Sequence, residues 1–290
     1  MYYLLPGAKK QVREPDGKRR EEILVPDTID FEKHWGVAVG ALEHAIKCLR
    51  HPQEFGAISS NYLPYASILP VFASLQVYAQ SLSAERQLSA KQKIRHWYWA
   101  SIFTNRYSGS VESTSARDFL DIKQWINDAS AEPGVILEFK NNVKNLNLRK
   151  EIKRNTSVYN GVFNLLVLKG APDLINGEAP QYDDLDDHHI VPVSKAKSLN
   201  INDIHTILNR TPLTAHTNRH VIRDRWPYEY LSELIKENGK STVQGIMEKH
   251  FVSPKALDIL LRNPFTYDDF EAFIKERERV LREAIKSLVM

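Results

Sequence analysis

A single cysteine, Cys48, stands in 290 residues. That excludes internal disulfides and thiolate-rich zinc sites. No apolar run approaches the ~18 residues that a membrane helix needs, so no membrane partner is expected. The opening "MYYLLPGAKKQVREPDGKRR" lacks the order of a secretory signal, because its charges follow the apolar residues. A cytoplasmic location is the expectation. No internal repeat or low-complexity tract is present. Charge of one sign is also scarce: the formal net charge of +3 does not by itself argue for a nucleic-acid partner.

What is present is ordinary in amount and uneven in distribution. Apolar content of 42% and charge of 26% suit a folded chain with a sizeable core. Residues 140–154, "KNNVKNLNLRKEIKR", carry Lys140, Lys144, Arg149, Lys150, Lys153 and Arg154 against one acid, Glu151. Such a stretch can follow phosphates or form a solvated helix face.

Residues 1–29 read as irregular, with Pro6, Pro15, Pro26 and a turn-forming "PDG". Trp35, Val39, Leu42, Ile46 and Leu49 then recur at helical spacing. "LPYASILPVFASLQVYAQSL" reads as a buried helix entered through prolines, and "SAKQKIRHWYWASIFTNRY" as a serine-capped helix. Trp97 and Trp99 within it are assigned to the core. Phe119, Ile122, Ile126 and Ala129 share a face, with Asp118 and Asp121 read as helix surface. "SAEPG", 130–134, is a candidate joint. Beyond 157 a compact apolar run with Gly and Pro breakers precedes a short extended segment, "HHIVPV". Helices return after 227; Ser253 and Pro254 suit N-cap and N1. Phe270, Phe273, Val280, Leu281, Ala284 and Leu288 form the last stripe.

Five of the ten histidines fall within 188–220: His188, His189, His205, His216 and His220. Asn209, Asn218, Asp186 and Asp187 accompany them. Phosphodiester hydrolysis needs a base near neutral pH and a cation to offset charge on the phosphate. Adjacent strand residues point to opposite faces, so His188 and His189 are expected to have separate roles.

"DHHIVPVS", 187–194, followed by "NRTPLTAHTNRHVIRDRWPYEYL", 209–231, resembles an HNH nuclease motif on a ββα-metal fold. More narrowly, it is similar to the C-terminal nuclease part of GmrSD-type, modification-dependent restriction endonucleases. The strong resemblance covers about 185–232, and a weaker one extends over much of 60–235. It implies that His189 is the general base, that His188 and Asn218 hold the metal, and that Asn209 braces the loop between strands. Arg219 would steady the phosphate; His220 would be a further phosphate contact or ligand. Asp187 would orient an imidazole. His188 stands where the family often has aspartate. Magnesium favours oxygen ligands and imidazole suits manganese better, so Mg²⁺ or Mn²⁺ is the expected cofactor. Larger family members carry a nucleotide-handling domain with a ParB-like "DGQQR" signature, which this sequence lacks. An NTPase or ParB-like subunit outside this chain is therefore a candidate partner.

The expected architecture is mainly α with a small α+β insert. Helical residues 1–130 precede a linker and nuclease module at 131–235, and helices follow at 236–290. The expected activity is metal-dependent nicking of double-stranded DNA in the restriction of modified or foreign phage DNA. One site cuts one strand, so a double-strand break needs a homodimer or two successive nicks. A DNA-binding or scaffolding module with an inactive site, or a ribonuclease, remain alternatives. His34, His44, His51, His96, His205, His216 and His250 are read as surface or core histidines. Asp183, Asp184 and Asp186 are read as a solvated approach to the hairpin. Asn105 and Arg106 are read as either DNA contacts or a capped helix end.

Overall fold

A computed structural model describes residues 9–13, 19–23, 28–175, 177–180 and 185–290. The chain is mainly helical, with two small antiparallel two-stranded sheets among the described residues. β1 (Lys9–Arg13) pairs with β2 (Arg19–Ile23), so part of the stretch read as irregular is a ladder. Few apolar residues mark these strands; backbone bonds define them. The PDG turn, Pro6, Pro15 and Pro26, and Asp183 and Asp184, lie outside the described residues. No helix among the described residues is long and apolar enough to cross a membrane.

The chain divides into two compact units. Unit 1 takes residues 1–47, 65–98 and 106–134; unit 2 takes 48–64, 99–105 and 135–290. The joint near 130–134 coincides with a boundary, whereas the helices after 236 belong with the candidate site rather than apart from it.

α1 (Thr28–Arg50), in unit 1 as far as Lys47, buries Ala38, Ala41 and Ala45. The expected stripe is buried only in part: Leu49 is 1% exposed and Val39 half-buried, whereas Trp35, Leu42 and Ile46 are 51%, 38% and 40% exposed. The helical period allows two apolar faces, and the alanine face is the one that packs. α2 (Ile68–Gln80) is buried as expected, with Pro70 in its first turn, where an amide proton is not needed. α3 (Ala84–Phe103) starts before Ser89, so that serine is interior and not a cap. Trp97 is fully buried and gives its indole N–H to Asp118 at 3.0 Å. α4 (Val111–Asn127) carries Asp118 inward, contrary to its reading as surface. Tyr107 also donates to Asp118, and Arg106 donates twice to it, at 3.2 and 2.8 Å. Arg106 is thereby committed to a buried carboxylate and not to DNA. Asp121 is half-buried.

In unit 2, α5 (Gly134–Asn142) leads through 3₁₀ turns at Val143–Asn145 and Leu148–Lys150. The basic run is therefore no single helix face. α6 (Ser157–Leu168) is buried along residues 157–167. Ser157 donates to the Asn105 carboxamide at 2.6 Å, which gives that residue a structural role. Gly56, at φ +72°, lies against α6; a Cβ there would meet the Asn164 carbonyl oxygen at 2.4 Å.

β3 (Leu185–His189) and β4 (Arg210–Thr214) form the second sheet, with α7 (Val193–Ala196) in the connection. His188 stands opposite Thr211 and His189 opposite Arg210. Asn209, fully buried, closes the connection. Its side chain accepts from Val191 N at 2.9 Å and donates to Val191 O at 2.9 Å and Ile204 O at 3.0 Å. After β4 comes a π-helical turn, Thr217–Ile222. Then follow α8 (Pro227–Asn238), α9 (Lys240–Lys249), α10 (Pro254–Leu260) and α11 (Tyr267–Ser287). Ser253 caps α10 by accepting from Ala256 N, and Pro254 is N1, as expected. Arg277 of α11, fully buried, donates to Leu208 O at 2.8 Å and His250 O at 2.9 Å. His250 is a satisfied core histidine: Nδ1 meets the Thr211 hydroxyl and Nε2 meets Pro172 O.

Asn209→Ala strands one buried amide proton and two buried carbonyls, and should cost about 2–4 kcal/mol; urea unfolding followed by circular dichroism measures it. Burial pushes His250 from its ordinary 6.5 down to about 3. The unfolded chain therefore takes up a proton first. The stability this neutral ring contributes is complete above pH 6.5 and erodes as pH falls toward 3. Unfolding free energies across that window should fall with acid, and less steeply in His250→Gln.

Candidate active site

The site begins with strand alternation. On β3, Asp186 and His188 share one face, and Asp187 and His189 share the other. Each face meets a different group.

On the first face, His188 is 3% exposed. Its Nδ1 lies 2.6 Å from Oδ1 of Asn218, a residue of the π-helical turn. The Asn218 amide donates to Asp186 Oδ2 at 3.1 Å, which orients the carboxamide with its oxygen toward the ring. His188 therefore donates through Nδ1, and its Nε2 lone pair is buried without a hydrogen-bond partner among the described residues. Burial lowers its pKa to about 4, so the ring is neutral at pH 7. Asp186 also accepts two bonds from Arg219, each 2.9 Å. Burial opposes its ionisation, but Arg219 and Asn218 hold it below the usual carboxylate range. Asp186 is thus paired and not a merely solvated approach, and Arg219 is engaged by it.

On the second face, Asp187 gathers three donors. Arg154 pairs with it at 2.8 Å and Arg210 at 3.3 Å, and the Tyr159 hydroxyl donates to the same oxygen. Burial and then Asp187 raise the Tyr159 pKa. Asp187 makes its contacts with guanidinium and phenol groups; neither β3 imidazole is hydrogen-bonded to its carboxylate, so it does not hold one directly. Electrostatics decide this: a nearly buried carboxylate gains more from two fixed cations than from a neutral ring. His189 is half-buried, with Nε2 at 3.1 Å from His205 Nδ1. Burial first, then Arg210 and His205, lower the His189 pKa to about 3.

The helical turn is placed by Asp173, a residue that no motif marked. It accepts from Thr214 N and Oγ1 at 3.2 and 2.8 Å, and from Thr217 Oγ1 at 2.8 Å. Tyr230 of α8 donates to Ile190 O at 3.3 Å from below.

The structure thus brings together His188, Asn218, His189 and Asn209's brace. It turns His220 toward His216, ring centroids 5.5 Å apart, on an exposed face. Of the basic run, Arg154 reaches the site through Asp187. Arg149 is instead clasped by Glu271 and Asp203. Lys144, Lys150 and Lys153 are exposed and Lys140 half-buried, distributed along a helix end and the turns after it. Sequence reasoning missed Tyr159, Asp173 and Arg210, and set His205 aside. Only the position of Arg210, opposite His189 once the hairpin is paired, was within reach of a register argument.

As a cation site, the donors are one imidazole, one carboxamide oxygen and one carboxylate that Arg219 already holds. Among the described residues no three His, Cys, Asp or Glu side chains form a metal-binding group. The orphaned Nε2 of His188 is buried on the side of the ring away from Asn218 Oδ1, so one ion could take both residues only once the His188–Asn218 hydrogen bond opens.

No protein-family model matches this chain. Over 293 residues it is 27% identical to Uncharacterized protein MJ0686 from Methanocaldococcus jannaschii. The similarity takes in 94% of this chain and 49% of that protein, so the chain spans about half the length of the relative it matches.

Proposed function

We propose that unit 2 carries an HNH-type, ββα-metal DNA endonuclease site that nicks double-stranded DNA and serves in restriction of modified or foreign phage DNA. The observation that carries this reading is the meeting of His188 and Asn218 at 2.6 Å, from strand and helical turn, with His189 next in the chain facing elsewhere. These two residues, 30 positions apart, are the ones that the HNH resemblance implies as a ligand pair, and their meeting supports the reading. The two-stranded sheet followed by a helical turn has the order of that fold.

His188 and Asn218 would hold a divalent cation, Mg²⁺ or Mn²⁺, with Asp186 beside them. When bound, the cation supplies charge neutralisation at the phosphate and leaving oxygen. His189 removes the proton from the attacking water. Its lowered pKa keeps it unprotonated, and so able to accept, at pH 7. A basicity that low suits a site awaiting its substrate: the negative phosphodiester offsets Arg210 and raises the imidazole toward neutrality. Arg154, 60% exposed and anchored on Asp187, would meet a phosphate. Asn209 holds the strand end from which the base projects.

A second reading has its own support. The direct His188–Asn218 hydrogen bond and the Asp186–Arg219 pair describe a closed group, as in a nucleic-acid-binding module that does not cut. Calorimetry with Mn²⁺ separates the two. The nuclease reading expects binding in the wild-type chain and at least tenfold weaker binding in His188→Ala and Asn218→Ala; no binding in the wild type favours the inactive module.

His189→Ala should lower the nicking of supercoiled plasmid with Mg²⁺ or Mn²⁺ by at least ~10²-fold, with unchanged circular dichroism and melting. Nicking by that variant at the wild-type rate would sink the nuclease assignment. Greater cleavage of an RNA substrate than of plasmid would instead favour the ribonuclease alternative.

A further inference from the structure

We infer that His205 is a positioning residue that fixes which nitrogen of His189 is open to the attacking water. The consequence for rate rests on the nuclease reading; the hydrogen-bond geometry does not.

His205 is exposed, so core packing does not account for its placement. The backbone on either side of it is held firmly. Thr206 N donates to Asp203 O at 2.9 Å, Ile207 N to Glu151 O at 2.7 Å, and the Asn209 side chain holds Ile204 O. From that turn the ring stands edge-on to His189, centroids 5.2 Å apart at 67°. Its Nδ1 is 3.1 Å from His189 Nε2 and 3.4 Å from Arg210 Nη2.

Arg210 decides the tautomers. A guanidinium only donates, so the nitrogen it faces must accept. His205 Nδ1 therefore carries a lone pair, and its proton sits on Nε2. The one proton shared between the two rings must then belong to His189, on Nε2. The lone pair of His189 is left on Nδ1, away from His205. Arg210 cannot swing off to release this arrangement. It is 6% exposed and is tied to Asp187 through the carboxylate and the backbone carbonyl, both at 3.3 Å. A relay results: Asp187 fixes Arg210, Arg210 fixes the tautomer of His205, and His205 fixes the ring of His189. A general base held in one tautomer and one rotamer by an acceptor behind it is the arrangement that proton abstraction needs.

Two measurements on the full chain test this. In plasmid nicking, His205→Ala should lower kcat by about tenfold or more while KM stays within about twofold. His205→Asn, whose amide oxygen takes the place of Nδ1 as acceptor, should restore most of the rate; His205→Leu should not. All three variants should melt with the wild type. Activity in His205→Ala equal to wild type, or no rescue by Asn, overturns the inference. Two-bond proton–nitrogen correlation spectra of the wild type, without substrate, read the tautomers directly. His189 and His205 should both appear with the proton on Nε2, and His189 should lose that preference in His205→Ala. A proton on His205 Nδ1 overturns the inference even if the chain nicks DNA. A chain that nicks nothing but shows these tautomers retains the positioning role and loses the nuclease reading.

Discussion

One buried carboxamide sets the geometry from which the candidate site is built. Asn209 ends the connection between β3 and β4, and its side chain reaches back to both polar groups of Val191 and to the carbonyl of Ile204. An amide is the side chain that can accept and donate at once without charge. In a fully buried position, those three bonds hold the end of β3 against the start of β4. The register follows, and with it His188 opposite Thr211 and His189 opposite Arg210. Arg277 supports the same connection from α11 by donating to Leu208 O. The helices after residue 236 are therefore part of the scaffold of the site, which is why they fall in one compact unit with it.

Charge is then distributed between the two faces of a five-residue strand. Asp186 and Asp187 are neighbours that cannot share partners. Asp186 takes Arg219 and Asn218; Asp187 takes Arg154, Arg210 and Tyr159. Each carboxylate offsets guanidinium charge on its own face of the strand. Both histidines stay neutral, held there by burial, and they differ in contact: one faces an amide oxygen, the other a second imidazole. Pairing two adjacent rings with two unlike partners is what gives them different chemistry.

Much of the fold was legible from periodicity and caps. The buried α2, the inward face of α4 and the Ser253–Pro254 start of α10 followed from local rules. The α1 stripe followed only in part: Leu49 is buried, but Trp35, Leu42 and Ile46 satisfy the helical period while the smaller alanines pack. Period alone identifies faces without saying which one finds a partner. Asp118 failed in the same way: a carboxylate among helical residues reads as surface until Trp97, Arg106 and Tyr107 arrive from elsewhere in the chain. Within the candidate site, His188, His189, Asn209 and Asn218 were singled out by their spacing in the sequence, and the contacts of each are local to the β3–β4 hairpin and the turn after it. Asp173, Tyr159, Arg210 and His205 carry no such spacing.

The sequence by itself determined that two consecutive imidazoles on a strand must face opposite ways; that a carboxamide from a later segment would meet His188 was only what the resemblance implied. The rule behind the first is covalent: side chains alternate along any extended backbone. Tertiary structure alone decided which groups wait on each face, because the pairs 154 with 187, 189 with 205, and 173 with 217 are brought together by packing of segments distant in the chain. No local pattern specifies such meetings; they follow from where buried helices and a braced hairpin place otherwise unremarked side chains.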